Sequence, residues 1–288
     1  MQPWEGPPVN WQWPSFPAPA KINLFLHVVG RRPDGYHLLQ TVFRFLDRAD
    51  ALLIEARPDG DIRRLDPLPG VPVEADLCWR AARLLQQHTG CRLGADIRLE
   101  KRLPLGGGLG GGSSDAATVL LALNRLWGLH LPRKELQALA LALGADVPVF
   151  VFGRSAFAQG VGEVLTPWAP APASYVVLTP PVQVSTPAIF SHPGLTRNTP
   201  EVTISALSDG FGHNDLQPVA CALNPPVAEH LHWLGQWGEA RMTGSGACVF
   251  AAFPERRQAE RVLAALPDSM RGFVADGVDL HPLHGFAD

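Results

Sequence analysis

The residues best suited to chemistry lie in a glycine-rich stretch near the middle of the chain. It reads Pro104-Leu-Gly-Gly-Gly-Leu-Gly-Gly-Gly-Ser-Ser-Asp115, and an apolar helical pattern follows it directly. Glycine loses more backbone entropy on folding than any other residue and has no side chain to pack, so such a run indicates a need for bare backbone. Successive backbone N–H groups and a helix N-terminus together bind phosphate well. The stretch therefore predicts a phosphate-binding loop rather than a flexible linker.

Three known phosphate-binding contexts do not fit this loop. The Walker A motif needs Gly-Lys-Ser/Thr, and no lysine follows the glycines. The dinucleotide fingerprint is met at Gly106, Gly108 and Gly111, but the chain continues into a second helical pattern over 132–143 and not into a strand with an acidic end. Protein kinases need His-Arg-Asp and Asp-Phe-Gly, and neither tripeptide occurs. Another phosphate-binding family is indicated.

The two ends of the loop carry polar residues with structural preferences. Ser113 and Ser114 are good N-cap residues, and Asp115 is favourable in a first helical turn. Lys101 lies near the end of an alternating strand pattern over residues 96–102, so we expect it at the entrance of the loop.

A second group of candidate residues lies near the start of the chain. Apolar residues at 22, 24, 26 and 28 alternate with polar or aromatic ones, which predicts a strand that carries Lys21 and Asn23 on one face. Tyr36 and His37 follow the turn sequence Pro33-Asp34-Gly35 and are expected beside that strand. The stretches 40–47 and 49–56 are predicted as two further strands.

Asp146 is the candidate carboxylate outside the loop. Pro148 favours an extended Val147, so Asp146 is expected between a helix end and an apolar strand. At such a position it is either a turn or cap residue, or a charge that rigid elements hold at the edge of a cleft.

Composition narrows the possible functions. The chain has 288 residues, 46% hydrophobic and 18% charged, which is typical of a globular protein with room for two modest domains. A net charge of −3 argues against general nucleic-acid binding, and no apolar run approaches the roughly 18 residues of a membrane span. The four cysteines form no Cys-x-x-Cys pair, so we expect reduced thiols in a cytoplasmic protein, without disulfide or zinc.

The domain organisation follows from changes in composition. Residues 1–18 are rich in Pro and Trp and lack a secretory pattern, so an irregular tail is predicted there. The proline-dense segment 167–172 predicts a boundary between a domain at 19–166 and a domain at 167–288.

Seven segments, taken together and in order, resemble the GHMP small-molecule kinases. They are Pro19-Ala-Lys-Ile-Asn-Leu24, Asp34-Gly-Tyr-His37, residues 104–117, Gly144-Ala-Asp-Val-Pro148, Thr186-Pro-Ala-Ile-Phe190, Asn214-Asp-Leu216 and Thr243-Gly-Ser-Gly-Ala247. The first two segments together resemble in particular the branch whose substrate carries a cytidine diphosphate group. One departure is Asp76-Leu77, which stands where the resemblance leads us to expect an asparagine near the adenine pocket.

The resemblance implies a fold and an activity. The fold is α+β, with an N-terminal domain like ribosomal protein S5 domain 2, a ferredoxin-like C-terminal domain, and an active site in the cleft between them. The activity is ATP-dependent phosphorylation of the 2-hydroxyl of a methylerythritol linked to cytidine diphosphate, in the non-mevalonate route to isoprenoids. The implied partners are this substrate, ATP and Mg²⁺, with no nucleic acid or membrane, in a monomer or weak homodimer.

The resemblance also implies roles for single residues. Asp146 would accept the proton of the substrate hydroxyl, and Lys21 would keep Asp146 ionised and orient that hydroxyl. The ATP-binding residues would be Lys101, Pro104, Gly106, Gly107, Gly108, Leu109, Gly110, Gly111, Gly112, Ser113 and Ser114, with Ser114 also offered for Mg²⁺. The substrate-binding residues would be Asn23, Tyr36, His37, Asp146, Thr186 and Phe190, with Tyr36 and Phe190 on either side of the cytosine ring and His37 at its edge.

Three alternatives stay open at this stage. The chain could be another GHMP kinase, acting on homoserine, mevalonate or a sugar, or it could be a nucleotide-binding regulator on the same scaffold. His37, rather than Asp146, could also serve as the general base.

Overall fold

The computed structural model describes residues 13–66 and 70–287, and within them ten strands and eight α-helices. The strands are β1 (Ser15–Arg31), β2 (His37–Arg57), β3 (Ile62–Arg64), β4 (Gly94–Glu100), β5 (Ala156–Gln159), β6 (Val164–Pro167), β7 (Ser174–Leu178), β8 (Ala240–Met242), β9 (Val249–Phe253) and β10 (Gly272–Val278). The helices are α1 (Leu77–Thr89), α2 (Gly111–Leu126), α3 (Arg133–Leu141), α4 (Val147–Phe152), α5 (Thr186–Ser191), α6 (Gln217–Leu223), α7 (Pro225–Leu234) and α8 (Arg256–Ala264).

The strands form one sheet in the order β3-β4-β2-β10-β7-β9-β8. Strand β1 pairs with β2 along almost its whole length, and β5 joins β2 to β6. All pairings are antiparallel except β3 with β4. The last strand, β10, is hydrogen-bonded to β2 on one side and to β7 on the other. The mixed helix and strand content agrees with the predicted α+β class.

Two apolar cores flank the region where the loops meet. In the first, α2 lies against β1 and β2 with residues 114–124 all buried, and most of these residues are Ala, Val or Leu. In the second, β7 and β9 pack against α6, α7 and α8. The helices and strands of these two cores thus hold the connecting loops that lie between them.

The start of the chain differs from the prediction in two respects. Strand β1 begins at Ser15, so part of the predicted tail is extended structure, and residues 1–12 lie outside the described residues. Pro17 and Pro19 are tolerated because β1 hydrogen-bonds mainly to one neighbour, β2. The two strands predicted over 40–56 are one strand, β2, since the polar residues at 47 and 48 include no turn-forming glycine or proline.

The segment after Asp146 is also different from the prediction. Val147–Phe152 is the helix α4 and not a strand. Pro148 lies in its first turn, where a missing N–H costs no hydrogen bond. Residues 147–151 are all buried, and a fully buried helix is apolar all round, so its sequence resembles a strand.

Three other expectations can be compared with the structure. All four cysteines are free thiols, as predicted. In the part of the chain that the structure describes, no helix combines the length and apolarity needed to cross a membrane. The predicted boundary at 166/167 falls at the last residue of β6, and the division into two domains stays a prediction.

Candidate active site

The glycine-rich loop links β4 to α2. Helix α2 begins at Gly111, and Gly110 is its N-cap with a left-handed φ of 70°. The prediction that Ser113 and Ser114 cap this helix is wrong, because glycine at 110 allows the helix to start earlier. Ser114 is completely buried, and Asp115 is the fifth helical residue, also buried.

Backbone atoms of neighbouring segments lie so close to this loop that there is little room for side chains, which explains its many glycines. A Cβ atom at Gly108 would lie 2.3 Å from the carbonyl oxygen of Thr243, and Gly108 has a φ of +74°. The Cys248 N–H donates to the Gly107 carbonyl at 3.0 Å, and the Lys21 N–H donates to the Leu109 carbonyl at 2.9 Å. The second glycine loop, residues 243–247, and strand β1 therefore hold the first loop in place.

A cavity of about 290 Å³ lies over this loop, and we call it the loop cavity. The residues predicted to bind ATP line it, except Ser114. They are Lys101, Pro104, Gly106, Gly107, Gly108, Leu109, Gly110, Gly111, Gly112 and Ser113. Backbone N–H groups at the start of α2 and the lysine make the cavity suitable for a polyphosphate.

Two carboxylates, whose contact with Lys101 the sequence did not indicate, hold this lysine. Its Nζ lies 2.5 Å from Asp50 Oδ2 and 2.9 Å from Asp115 Oδ2. Asp50 also accepts hydrogen bonds from the N–H groups of Arg102 and Leu103, where the chain enters the loop. Burial raises the pKa of Asp115 to about 7. The positive charge of Lys101 lowers this pKa but offsets the effect of burial only in part, and the negative charge of Asp50 raises the pKa further. No signal in the sequence pointed to Asp50, which lies 51 residues before Lys101.

A second cavity of about 290 Å³, the central cavity, adjoins the first. Lys21, Asn23 and Phe190 line it, and β1 carries the first two on one face as predicted. The two cavities share four lining residues: Ser113, Asp146, Thr186 and Ser245. Asp146 therefore lies where the two cavities meet.

Lys21 and Asp146 form an ion pair at this junction. Lys21 Nζ lies 3.1 Å from Asp146 Oδ2 and donates to Asn23 Oδ1 at 2.6 Å. The lysine is 2% exposed, whereas the carboxylate is 39% exposed and open to the cavities. Asn23 in turn donates to Thr41 Oγ1 at 2.9 Å, which fixes its amide. The Lys21 ammonium group is thus buried and fixed in position, whereas the Asp146 carboxylate is accessible from the cavities.

A third cavity of about 540 Å³, the aromatic cavity, extends away from the junction. Tyr36, His37, Thr186 and Phe190 line it, and Phe190 and Thr186 also face the central cavity. The His37 and Phe190 rings are 4.9 Å apart with a tilt of 30°, and Tyr36 is 62% exposed. Burial lowers the pKa of His37, and the guanidinium groups of Arg197 and Arg31 lower it further.

The three cavities adjoin one another between the glycine loop and the aromatic residues, and Thr186 lines all three. The predicted substrate-binding residues Asn23, Tyr36, His37, Asp146, Thr186 and Phe190 all line the second or third cavity. Asp76, in contrast, caps α1 and pairs with Arg64 at 2.9 Å, whereas its neighbour Leu77 lines the loop cavity.

Comparisons with known proteins agree with this arrangement. The family described as GHMP kinases N terminal domain matches residues 76–154, and GHMP kinases C terminal matches residues 199–272. A 4-diphosphocytidyl-2-C-methyl-D-erythritol kinase from Thiobacillus denitrificans is 66% identical over 94% of this chain and 98% of its own length. Another, from Nitrosospira multiformis, is 61% identical over 95% and 94%. This chain belongs to the 4-diphosphocytidyl-2-C-methyl-D-erythritol kinase family, within the GHMP kinases.

Solved structures give the same result at the level of the fold. A crystal structure of 4-(cytidine 5'-diphospho)-2C-methyl-D-erythritol kinase has a TM-score of 0.80 and 37% identity, covering 92% of this chain and 99% of the other. A homoserine kinase from Cytophaga hutchinsonii has a TM-score of 0.67 and 16% identity, covering 96% of this chain and 98% of the other. At this identity the similarity extends to the fold and not to the substrate. The GHMP kinase fold expected from the resemblance is confirmed, and the chain is an ATP-dependent small-molecule kinase.

Proposed function

We propose that this kinase transfers the γ-phosphoryl group of ATP to the 2-hydroxyl of 4-diphosphocytidyl-2-C-methyl-D-erythritol. The observation that carries the proposal is the Lys21–Asp146 pair at the point where a glycine-loop cavity meets a path to an aromatic cavity. Phosphoryl transfer depends mostly on the positioning of the reactants and on the stabilisation of negative charge. The loop cavity and Lys21 would stabilise charge, and the aromatic cavity would position the acceptor.

The loop cavity would take the phosphates of ATP. Backbone N–H groups at the start of α2 would face the β- and γ-phosphates, and the positive end of the helix dipole would add to their stabilisation. Lys101, held in position by Asp50 and Asp115, would donate a hydrogen bond to the nucleotide.

Asp146 would accept the proton of the attacking hydroxyl. The hydroxyl oxygen attacks the γ-phosphorus as the bond to the bridging oxygen of ADP breaks, and the released proton passes to the Asp146 carboxylate. Lys21 would orient the hydroxyl and stabilise negative charge, because it is buried beside the reacting groups, where charges interact strongly. His37 lies in the aromatic cavity and lines neither of the other two, which favours Asp146 as the base.

The residues present fit a Mg²⁺ ion that is bound mainly through phosphates. The described residues contain no cluster of three or more His, Cys, Asp or Glu side chains able to hold a metal. Mg²⁺ usually keeps several waters and takes one or two carboxylates plus substrate phosphates. Ser113 lines the loop cavity and would supply a protein ligand, whereas Ser114 is completely buried and does not line it. The ion would neutralise charge on the transferring phosphoryl group.

The aromatic cavity would take the cytosine base. Phe190 and Tyr36 offer ring faces and His37 a polar edge, and a base stacks well on aromatic side chains. Mevalonate, homoserine and sugars have no base to place there, so this cavity argues against them. Location in the cytoplasm and a monomer or weak homodimer stay predictions.

A kinase assay decides between the candidate acceptors. Purified enzyme with ATP and Mg²⁺ is offered the cytidyl substrate, mevalonate, homoserine or galactose, and ADP release is measured together with the phosphorylated product. We expect turnover with the cytidyl substrate alone. Phosphorylation of one of the other alcohols in its place would overturn the proposal, and ATP binding without turnover of any acceptor would favour a regulator.

A further inference from the structure

Arg197 connects two walls of the aromatic cavity, although no sequence pattern drew attention to it. Its Nη2 donates to the carbonyl oxygens of Phe190 and His192, at 2.9 and 2.8 Å. Its Nη1 donates to the Leu195 carbonyl at 3.0 Å. Its Nε donates to His37 Nε2 at 3.1 Å. One guanidinium group therefore ties the segment after α5 to the histidine at the start of β2.

The bond to His37 determines where the imidazole proton lies. An arginine side chain is always protonated and offers only donors, so His37 Nε2 must accept and cannot carry a hydrogen. In a neutral imidazole the proton is then on Nδ1. Protonation of both nitrogens would set Nε2–H against the guanidinium N–H. The lowered pKa of His37, caused first by burial and then by Arg197 and Arg31, agrees with a neutral ring.

A fixed donor on His37 has consequences for the base. The arginine bond is the one hydrogen bond that the His37 ring makes to the described residues, so Nδ1–H is available to a ligand. Cytosine presents acceptors at O2 and N3, whereas uracil carries a hydrogen on N3. A donor facing that edge therefore suits cytosine and meets a second donor in uracil.

We infer that Arg197 is a positioning residue that holds His37 as the Nδ1–H tautomer, so that the cavity presents a hydrogen-bond donor to the acceptor edge of cytosine. The inference rests on the proposed function for the identity of the base. The tautomer itself depends only on the Arg197–His37 geometry.

Nitrogen NMR of the ligand-free enzyme tests the tautomer. Long-range ¹⁵N–¹H spectra distinguish a protonated ring nitrogen from a bare one, and the missing signals in His37→Gln identify His37 among the ten histidines. We expect Nδ1–H with bare Nε2 in the wild type, a shift toward Nε2–H in Arg197→Met, and the wild-type pattern in Arg256→Met, whose arginine lies on α8 away from the cavity. A wild-type His37 with its proton on Nε2, or an unchanged tautomer in Arg197→Met, would overturn the inference.

Kinetics with the same variants test the effect on base recognition. Arg197→Met should raise the KM of the cytidyl substrate about tenfold, and it should narrow the preference for the cytidyl substrate over its uridyl analogue. The KM of ATP should stay near the wild-type value. Arg197→Lys keeps a donor and should recover part of the loss. If Arg197→Met does not fold, the wild-type spectrum and Arg197→Lys decide. If the wild type used the uridyl analogue as well as the cytidyl substrate, the His37 donor would not discriminate between the two bases. If the enzyme phosphorylated a different alcohol, the proposed function would be wrong, but the Nδ1–H tautomer would still be observed.

Discussion

Lys21 Nζ and Asp146 Oδ2 lie 3.1 Å apart, yet one side chain is buried and the other is open to two cavities. The lysine comes from a strand that is tied to the glycine loop, and the aspartate precedes a buried helix. This asymmetry keeps the cation fixed while the carboxylate can reach a ligand on either side.

Asp146→Asn should lower kcat severely while ATP still binds. An amide cannot accept the hydroxyl proton, and loss of a general base costs about 10²- to 10⁴-fold in kcat. Steady-state kinetics and a nucleotide-binding titration measure the two effects separately. Asp268→Asn, at an exposed carboxylate outside the three cavities, is the matched control and should behave like the wild type. Near-normal kcat in Asp146→Asn would remove Asp146 from its proposed role.

Phe190→Ala should weaken the cytidyl substrate far more than ATP. Stacking of a base on an aromatic ring contributes about 1–3 kcal/mol, so KM for this substrate should rise roughly 5- to 150-fold. Trp237→Ala removes a partly exposed aromatic ring elsewhere and should leave both KM values near those of the wild type. Equal increases for ATP and the cytidyl substrate would contradict a stacking role for Phe190.

Gly108→Ala should disturb the contact between the two glycine loops. The new Cβ would lie 2.3 Å from the Thr243 carbonyl oxygen, and the residue would keep a left-handed φ that costs about 1–2 kcal/mol. We expect a lower Tm and a higher KM for ATP. Gly285→Ala adds a methyl group where no atom lies within 4 Å and serves as the control. If the two variants show the same Tm and KM, the loops are not held together in this way.

Asp115 should make the stability of the enzyme depend on pH. Its pKa is about 7 in the folded chain, mainly through burial, against a reference of 3.8. Between these values the folded state holds a proton that the unfolded state has released, so the free energy of unfolding falls as pH rises. Asp115→Asn removes this contribution, and its stability relative to the wild type should increase with pH.

Urea unfolding of both proteins at pH values from about 5 to 8 measures this difference. The midpoint and slope give the free energy of unfolding at each pH. A constant difference between the two proteins across that range would mean that Asp115 does not titrate there.

Much of the site could be predicted because its signals are local in the sequence. The alternation around residues 21 and 23 placed both side chains on one strand face, and the glycine run marked the phosphate loop without reference to any other segment. Asp146 was recognised through the resemblance of residues 144–148, although the element after it was misread. A buried helix of Val and Phe has the composition of a strand, so periodicity could not distinguish the two.

The rest of the site depends on contacts between distant parts of the chain. Asp50 and Asp115 meet at Lys101 only after β2, β4 and α2 have packed together. Arg197 reaches His37 across 160 residues. A single arginine in an irregular segment has no periodicity or motif that could indicate such a contact. Side chains that orient other side chains are therefore hard to find without the structure.

Strand β10 has a consequence for the order in which the molecule can be assembled. Its hydrogen bonds to β2 and to β7 join the two parts of the sheet, and it is the last of the described strands along the chain. During synthesis on a ribosome, β1–β6 and β7–β9 emerge before this connecting strand. The two parts of the sheet can therefore be joined through β10 only after residues 272–278 have been synthesised.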